Sequence, residues 1–355
     1  MRNARLESLG HALIIVNPVA QSGAAAGAAE RLKRFLTMYC HREAFDIAQT
    51  ERPRHATELA AAASEFDTVL ALGGDGVVHE VANGLMQIPT AQRPMLGVVP
   101  VGSGNDFART LGLTDITDVS GTDVSGTDFS ALLTSEPTVC DIMRITYETS
   151  GSGAPRRVVE YAVQTASFGL DAAIAIDTHT MRKRTGLTGA PLYMASGLKA
   201  FGRSYRDYPV RVRFDDGETR HLRTIVFAIQ NGPTYGSGFN ICPRASISDG
   251  LIDVCYASGP VPRAVALPVF LSAKNGRHVG SKHVHIERIK KVDLTFSAGD
   301  YPIQLDGEQI RAKSMRIEVV PGALNVLQPL DIGHAEPIAT AEAPKRPESS
   351  LSGRQ

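Results

Sequence analysis

Three short glycine-bearing turns hold the residues best placed to do chemistry. The first, Leu72-Gly-Gly-Asp-Gly-Val-Val-His-Glu-Val-Ala-Asn-Gly84, sets Asp75 among Gly73, Gly74 and Gly76. Glycines let a ligand approach the backbone closely, and a helix that opens after them offers unpaired N–H groups to phosphate. A carboxylate fixed there can accept a proton or hold magnesium. Glu80 and Asn83, three residues apart on the helix that follows, share a face. A tight strand-to-helix turn needs the same glycines with no ligand at all, so this motif alone decides little. The second turn, Pro100-Val-Gly-Ser-Gly-Asn-Asp-Phe107, repeats the arrangement with Gly102, Ser103 and Gly104. There Asn105 or Asp106 also reads as an ordinary helix cap. The third is Asn17-Pro-Val-Ala-Gln-Ser-Gly23. Ligands of open α/β sheets sit outside the carboxyl ends of the strands. Three such turns on one sheet edge favour a nucleotide pocket over three coincidental caps.

The elements that position these turns alternate. Strands are expected at His11–Val16, near Ala44–Gln49, at Thr68–Leu72 and at Met95–Pro100. Helices are expected at about Ala24–Met38 and Ala56–Ser64, from the Gly73–Gly76 turn through Met86, and at Asn105 to about Leu111. Strands separated by helices of this length imply a parallel sheet with right-handed crossovers. The polar stretch from Thr114 to Ser130, with its repeat Asp118-Val-Ser-Gly-Thr-Asp123 and Asp123-Val-Ser-Gly-Thr-Asp128, reads as a surface loop rather than a calcium site. After Asp141 come short β-rich runs at Val158–Ala166, Val210–Phe214, Thr224–Gln230, Leu251–Tyr256, Lys291–Phe296 and Met315–Val320. Helices near Gly189–Phe201 and Pro262–Leu271 interrupt them. This pattern fits an antiparallel sandwich or barrel. The expected organisation is an α/β domain over 1–139, a β-rich domain over 140–330 whose last strands return to the first, and a disordered tail over 331–355.

Composition limits the functions open to such a chain. Of 355 residues, Lys plus Arg and Asp plus Glu both number 37, so no global field favours nucleic acid or a membrane. An anionic partner must be held by a local cluster. Cys40, Cys140, Cys242 and Cys255 show no CxxC or Cys/His spacing, which fits a reduced, cytoplasmic protein without structural zinc or disulfides. No signal-peptide core or membrane span is expected. Monomer and homodimer both stay open.

The motifs, in this order, resemble the diacylglycerol kinase catalytic domain, shared with sphingosine and ceramide kinases and with bacterial soluble lipid kinases. The likeness runs on through Cys140-Asp-Ile-Met-Arg144, through Asn231–Asp253 and through Leu305-Asp-Gly-Glu308. It covers about Leu13 to Pro329. NAD kinases and phosphofructokinases share the Gly-Gly-Asp-Gly turn but not this second half. The resemblance implies an ATP- and Mg2+-dependent kinase with an α/β nucleotide domain and a C-terminal β-sandwich. It implies that Asn17, Gly73, Gly74, Gly76, Gly102, Ser103 and Gly104 surround the phosphates, and that Glu80 and Asn105 face the nucleoside. It makes Asp75 a general base or metal organiser, and Asp306 with Glu308 the acidic pair near magnesium. Phosphoryl transfer asks for positioning and charge neutralisation, which carboxylates, metal and cations supply. Arg184, in Arg182-Lys-Arg184, is the cation assigned to the triphosphate; a solvated helix end explains it equally well.

Two departures from the family pattern stand out. Val77 replaces the usual threonine, and Gln21 and Ser22 stand where a basic residue is common, so either phosphate is bound more weakly or a substitute cation comes from elsewhere. Ser167-Phe-Gly-Leu-Asp171 resembles the sphingosine kinase segment that places an aspartate against the lipid head, which makes Asp171 a candidate for substrate binding; a plain surface loop explains it nearly as well. The expected acceptor is a lipid hydroxyl at a membrane surface, with diacylglycerol, sphingosine and ceramide all open. Arg182–Arg184 and Arg203–Arg213 are the expected membrane contacts, and His278, His283 and His285 are expected on the surface. The rival readings are a soluble-substrate kinase of NAD kinase type and a catalytically silent lipid-binding protein.

Overall fold

Strict alternation of buried side chains builds the first layer. In β1 (Ala12–Val16), Leu13 and Ile15 face one helical layer while Ile14 and Val16 face the other. In this computed structural model the described residues are 9–39, 44–113, 129, 132, 135–149, 154–187 and 189–329. The Thr114–Ser130 repeat, Cys40 and the tail beyond 330 lie outside them, apart from Phe129.

α1 (Ala24–Tyr39), β2 (Phe45–Gln49), α2 (His55–Ala61), β3 (Thr68–Gly73), α3 (Asp75–Leu85), β4 (Met95–Pro100) and α4 (Asp106–Thr110) follow in order. The strands pair in parallel as β2-β1-β3-β4. α1 buries Ala25, Leu32 and Leu36 on one face of this sheet. α2 and α3 cover the other with Ala56, Ala60, Val78, Val81 and Leu85. Each of these large side chains contributes about 1.5–3 kcal/mol through burial, so the sheet edge that carries the three turns is a firm platform.

The second half is antiparallel, as the sequence predicts. Its strands are β5 (Ser135–Thr149), β6 (Arg157–Ala162), β7 (Thr165–Gly169), β8 (Tyr208–Phe214), β9 (Arg220–Gln230), the short β10 (Thr234–Tyr235) and β11 (Phe239–Asn240), β12 (Ile252–Ser258), β13 (Val284–Ile289), β14 (Lys291–Phe296), β15 (Ile303–Leu305), β16 (Glu308–Ile310) and β17 (Ala312–Pro329). Three helices interrupt them: α5 (Leu170–Thr185), α6 (Gly189–Arg203) and α7 (Arg263–Ser272). A core of aromatic and branched residues, including Phe168, Phe227, Tyr256 and Tyr301, fills the space between the strands. The single strand expected at Val158–Ala166 is two, because the chain turns at Val163-Gln164 to meet Asp306. The run expected to end at Val320 continues to Pro329. β17 pairs with β5 along nearly its whole length, and its end lies parallel to β4 at Val326 and Leu96.

Candidate active site

β3 ends in Gly73, and α3 starts at Asp75 with Gly74 as its N-cap. A side chain on Gly74 would sit 3.0 Å from the Cα of Gly102, and one on Gly102 would sit 2.5 Å from the Cα of Gly74. The first two turns therefore touch backbone to backbone, and only glycine permits it. Asn105 has φ 51, and its side chain accepts from Gly102 N and donates to Gly102 O. It locks the turn, and it is not among the residues that line the cleft over these turns, where the resemblance had it face the nucleoside. Val77 is buried under Gly73 in the core, a place that suits a methyl better than a hydroxyl.

A broad cleft lies over these turns. Asn17, Gly74, Asp75, Gly76, Glu80, Gly102, Ser103, Gly104, Asp306 and Glu308 all line it, and Gly73 lies just beneath at the end of β3. Asn17 Oδ1 accepts from Val19 N. Glu80 accepts from Arg54 N and Ala56 N, which ties it to the start of α2. Arg184 is exposed near the end of α5 and is not among the residues that line the cleft. The described cation on the cleft wall is instead Arg52, held in two contacts of 2.6 and 2.5 Å by Glu58. Nothing in its local sequence marked it.

Asp306 occupies the turn of the β15–β16 hairpin with φ 46, followed by Gly307 with φ 93. Asp-Gly is the dipeptide that such two-residue turns require. Its Oδ1 accepts from Gln164 N and Thr165 N, and its Oδ2 accepts from Val163 N and takes His79 Nδ1 at 3.0 Å. An ionised carboxylate offers about four lone-pair sites. All are taken, so the expected role of Asp306 as a direct magnesium ligand does not fit this geometry. Glu308 is exposed at the cleft rim, 3.2 Å from where a side chain on Gly76 would begin. No cluster of three or more metal-binding side chains occurs among the described residues. Magnesium, however, is commonly held by one or two carboxylates together with phosphate oxygens. Glu308, on the cleft wall, fits that arrangement.

His79 sits behind Asp306. Its Nε2 lies 3.4 Å from Glu160 Oε1, and Glu160 also accepts from the Tyr147 hydroxyl and meets Arg54 at 3.5 Å. Burial opposes a charge on His79, yet the hydrogen bonds to Asp306 and Glu160 outweigh it and push the pKa up to about 10. The imidazolium is thus a fixed part of the wall. His79 lies inside the quoted motif, but its partners are distant in sequence.

Behind the cleft is an inner chamber, and the two share Asp75, Ala175, Asp306 and Gly307. Burial, against the hydrogen bond from Asp106 N and helped by the charge of Asp306, raises the pKa of Asp75 above the ordinary carboxylate range. Asp106, read above only as a helix cap, lines the chamber and accepts from Ser237 N and Gly238 N. Burial and the charge of Asp75 push it up to about 7. Asp171 lies in the first turn of α5 and is 2% exposed, so it is no surface loop. Its oxygens make no hydrogen bond of good geometry, and although Ser167, Ala172 N and the Tyr235 hydroxyl lie near enough to favour its charge, burial outweighs them and pushes its pKa up to about 7 as well. No Lys or Arg lines this chamber among the described residues.

Tyr235, Ile241 and Phe270 line both the inner chamber and a third, adjacent space walled by Leu170, Phe201, Ile225, Val261 and Val269. His278 lies at its edge, 4% exposed, with Nε2 at 3.0 Å from Ile241 O and 3.7 Å from Cys255 Sγ. Its assignment to the surface is corrected: the chain after α7 folds back under β12. Of the arginines expected at a membrane, Arg206 pairs with Asp300 and Arg213 with Asp293. No helix among the described residues is long and apolar enough to cross a membrane.

Comparison with known proteins agrees with this layout. Residues 11–145 match the diacylglycerol kinase catalytic domain, and residues 164–328 match the YegS C-terminal NAD kinase beta sandwich-like domain. A protein of Chromohalobacter salexigens named "Probable lipid kinase YegS-like" is 31% identical over 297 residues, 76% of this chain and 79% of that one. One of the same name from Yersinia enterocolitica is 28% identical over 289 residues, covering 79% and 84%. A crystal structure of a diacylglycerol kinase from Bacillus anthracis str. Sterne superposes with a TM-score of 0.62 at 17% identity, over 90% of this chain and 97% of that one. This last likeness bears on the fold alone.

Proposed function

The chain belongs to the diacylglycerol kinase catalytic-domain family of lipid kinases, and from that premise we propose that it transfers the γ-phosphate of ATP to a hydroxyl of a lipid seated in the inner chamber. The observation that carries this reading is the meeting of two unlike spaces at Asp75; Asp306 lines both as well, but its oxygens are taken by four hydrogen bonds. The outer cleft is glycine-walled and opens on helix N-termini, which suits phosphates. The inner chamber and the space beyond it are mainly apolar, which suits acyl chains. Asp75 lines both, as a donor-acceptor junction requires.

In this reading the first-turn N–H groups of α3 and the Gly102–Gly104 turn orient the phosphates. Asp75, with its pKa raised by burial, takes the proton of the acceptor hydroxyl as the oxygen attacks phosphorus. Glu308 would hold magnesium with the phosphate oxygens, and the ion would neutralise charge there. Asp306 and His79 keep the hairpin and the Val163–Thr165 turn in register beneath the reaction. Asp171, buried on the chamber wall, accepts a hydrogen bond from the acceptor head. The test is transfer of radiolabel from ATP to diacylglycerol, ceramide and sphingosine in mixed micelles, beside soluble polyols and NAD. Labelled lipid supports the reading; label on soluble acceptors alone, or on none, overturns it.

A further inference from the structure

α7 has no inside. It reads Arg263-Ala-Val-Ala-Leu-Pro-Val-Phe-Leu-Ser272, and none of its ten residues is buried. A helix this apolar ordinarily sinks one face into a core and shows a polar face to water. Here Ala266, Val269 and Phe270 line the two apolar spaces, so the inward face is already accounted for. The opposite face holds Ala264, Val265, Pro268 and Leu271, at positions that fall on one side of a 3.6-residue turn, and all four are exposed. Val265 is 41% and Leu271 42% exposed, and Leu198 of α6, the helix whose Phe201 walls the third space, is 57% exposed. Apolar side chains thus lie on both sides of one thin element.

Charge around this helix is one-sided. From Gly259 to Ile286 the chain has no Asp or Glu, yet carries Arg263, Lys274, Arg277 and Lys282, in a sequence whose acids and bases are otherwise equal. Lys274 turns inward to Ser237 O, which leaves Arg263, Arg277 and Lys282 exposed around the apolar face. Val279, between the last two, is 44% exposed.

We propose that α7 and the turn at Arg277–Lys282 form the membrane-docking surface, with the helix lying in the interface of an anionic bilayer. Val265, Leu271 and Leu198 enter the acyl boundary while Arg263, Arg277 and Lys282 meet the phosphates. An apolar face inside an acid-free basic rim complements anionic head groups above hydrocarbon. A lipid surface is therefore the occupant. The purpose assigned to this docking rests on the lipid-kinase reading: α7 is the wall that separates the chamber from the bilayer, so the acceptor's chains need cross only one helix. Two of the arginines first expected to serve, Arg206 and Arg213, are already paired with acids.

The test is sedimentation of the full chain, without ATP, with phosphatidylcholine vesicles that contain or lack phosphatidylglycerol. Wild type should bind the anionic vesicles more tightly, and added salt should weaken that binding. Val265→Asp with Leu271→Asp, at exposed sites, should keep the melting temperature and lose at least tenfold in vesicle binding. Arg277→Ala and Lys282→Ala should each cost about fivefold on anionic vesicles and nothing on neutral ones. Phosphorylation of a bilayer-embedded acceptor should fall with the double aspartate variant, while that of a short-chain acceptor free in solution should not. Unchanged vesicle binding in the aspartate variant overturns the proposal, as does a dimer that this variant splits with no effect on vesicles. Vesicle binding as expected, but no phosphorylation of any acceptor by wild type, would sink the kinase reading and leave the docking surface standing.

Discussion

Removing the charge of His79 should destabilise the protein by an amount that depends on pH in a specific way. In His79→Gln the side chain still donates to Asp306, but Asp306 and Glu160 lose the cation between them. Deleting one partner of a buried ion pair typically costs about 3–5 kcal/mol. The pKa gives a ceiling of the same size, since a rise from 6.5 to about 10 corresponds to about 5 kcal/mol. A histidine whose folded pKa is raised contributes fully below the unfolded value and loses that contribution as pH rises through the folded one. The gap in urea unfolding free energy between wild type and variant should thus be widest near pH 6. It should narrow by about 1.4 kcal/mol per pH unit above 6.5 and close near pH 10. The groups facing the ring are Asp306 from the β15–β16 turn, Glu160 from β6, Asn83 from α3 and, through Glu160, Tyr147 and Arg54. None of the partners' charges need change between pH 6 and 9 for the result to hold. A gap that stays constant from pH 6 to 10.5, or one below about 1 kcal/mol throughout, would refute the assignment of a buried imidazolium.

Other expectations concern the carboxylates. Asp75→Asn should fold with an unchanged circular dichroism spectrum and lose about two to four orders of magnitude in phosphate transfer; near wild-type turnover would remove Asp75 from the mechanism. Asp171 has a folded pKa raised from 3.8 to about 7, so above pH 7 the fold carries a buried charge that costs at most about 4 kcal/mol and below pH 4 it carries none. Asp171→Asn should accordingly stabilise the protein at pH 8, have little effect at pH 4, and raise KM for the acceptor; a loss of stability at pH 8 in urea titration would contradict this. Glu308→Ala should shift the magnesium dependence of transfer to higher concentration without altering the melting temperature, and an unchanged titration would exclude it as a ligand.

The local parts of the site were legible in the sequence, and the assembled parts were not. The Gly73–Gly76 and Gly102–Gly104 turns follow buried strands and open helices, so short-range patterning places both on one edge. The alternation in β1 and the apolar spacing of α3 likewise follow from neighbours a few residues apart. The four-bond seat of Asp306 involves residues 141 to 227 positions away, a distance over which no pattern carries information. Asp106 was visible as a cap because caps are local, while its bonds to Ser237 and Gly238 come from the other half of the chain. Arg184 drew attention as part of a charge run, and Arg52, isolated in sequence, drew none. His278 looked superficial because polar neighbours surround it in sequence, yet the fold turns it under β12.

The end of β17 finishes the sheet that β1 began. β4 has β3 on one side, and Val326 meets Leu96 on the other. During synthesis the first domain therefore emerges with one strand edge bare, and its partner arrives some 230 residues after β4, on the order of ten to fifty seconds later. An open edge of this kind is a template for pairing with other chains. Expressing residues 1–139 alone should yield a sticky fragment, and the order of events on the ribosome, with the nucleotide half waiting for the last strand, makes the two halves one folding unit.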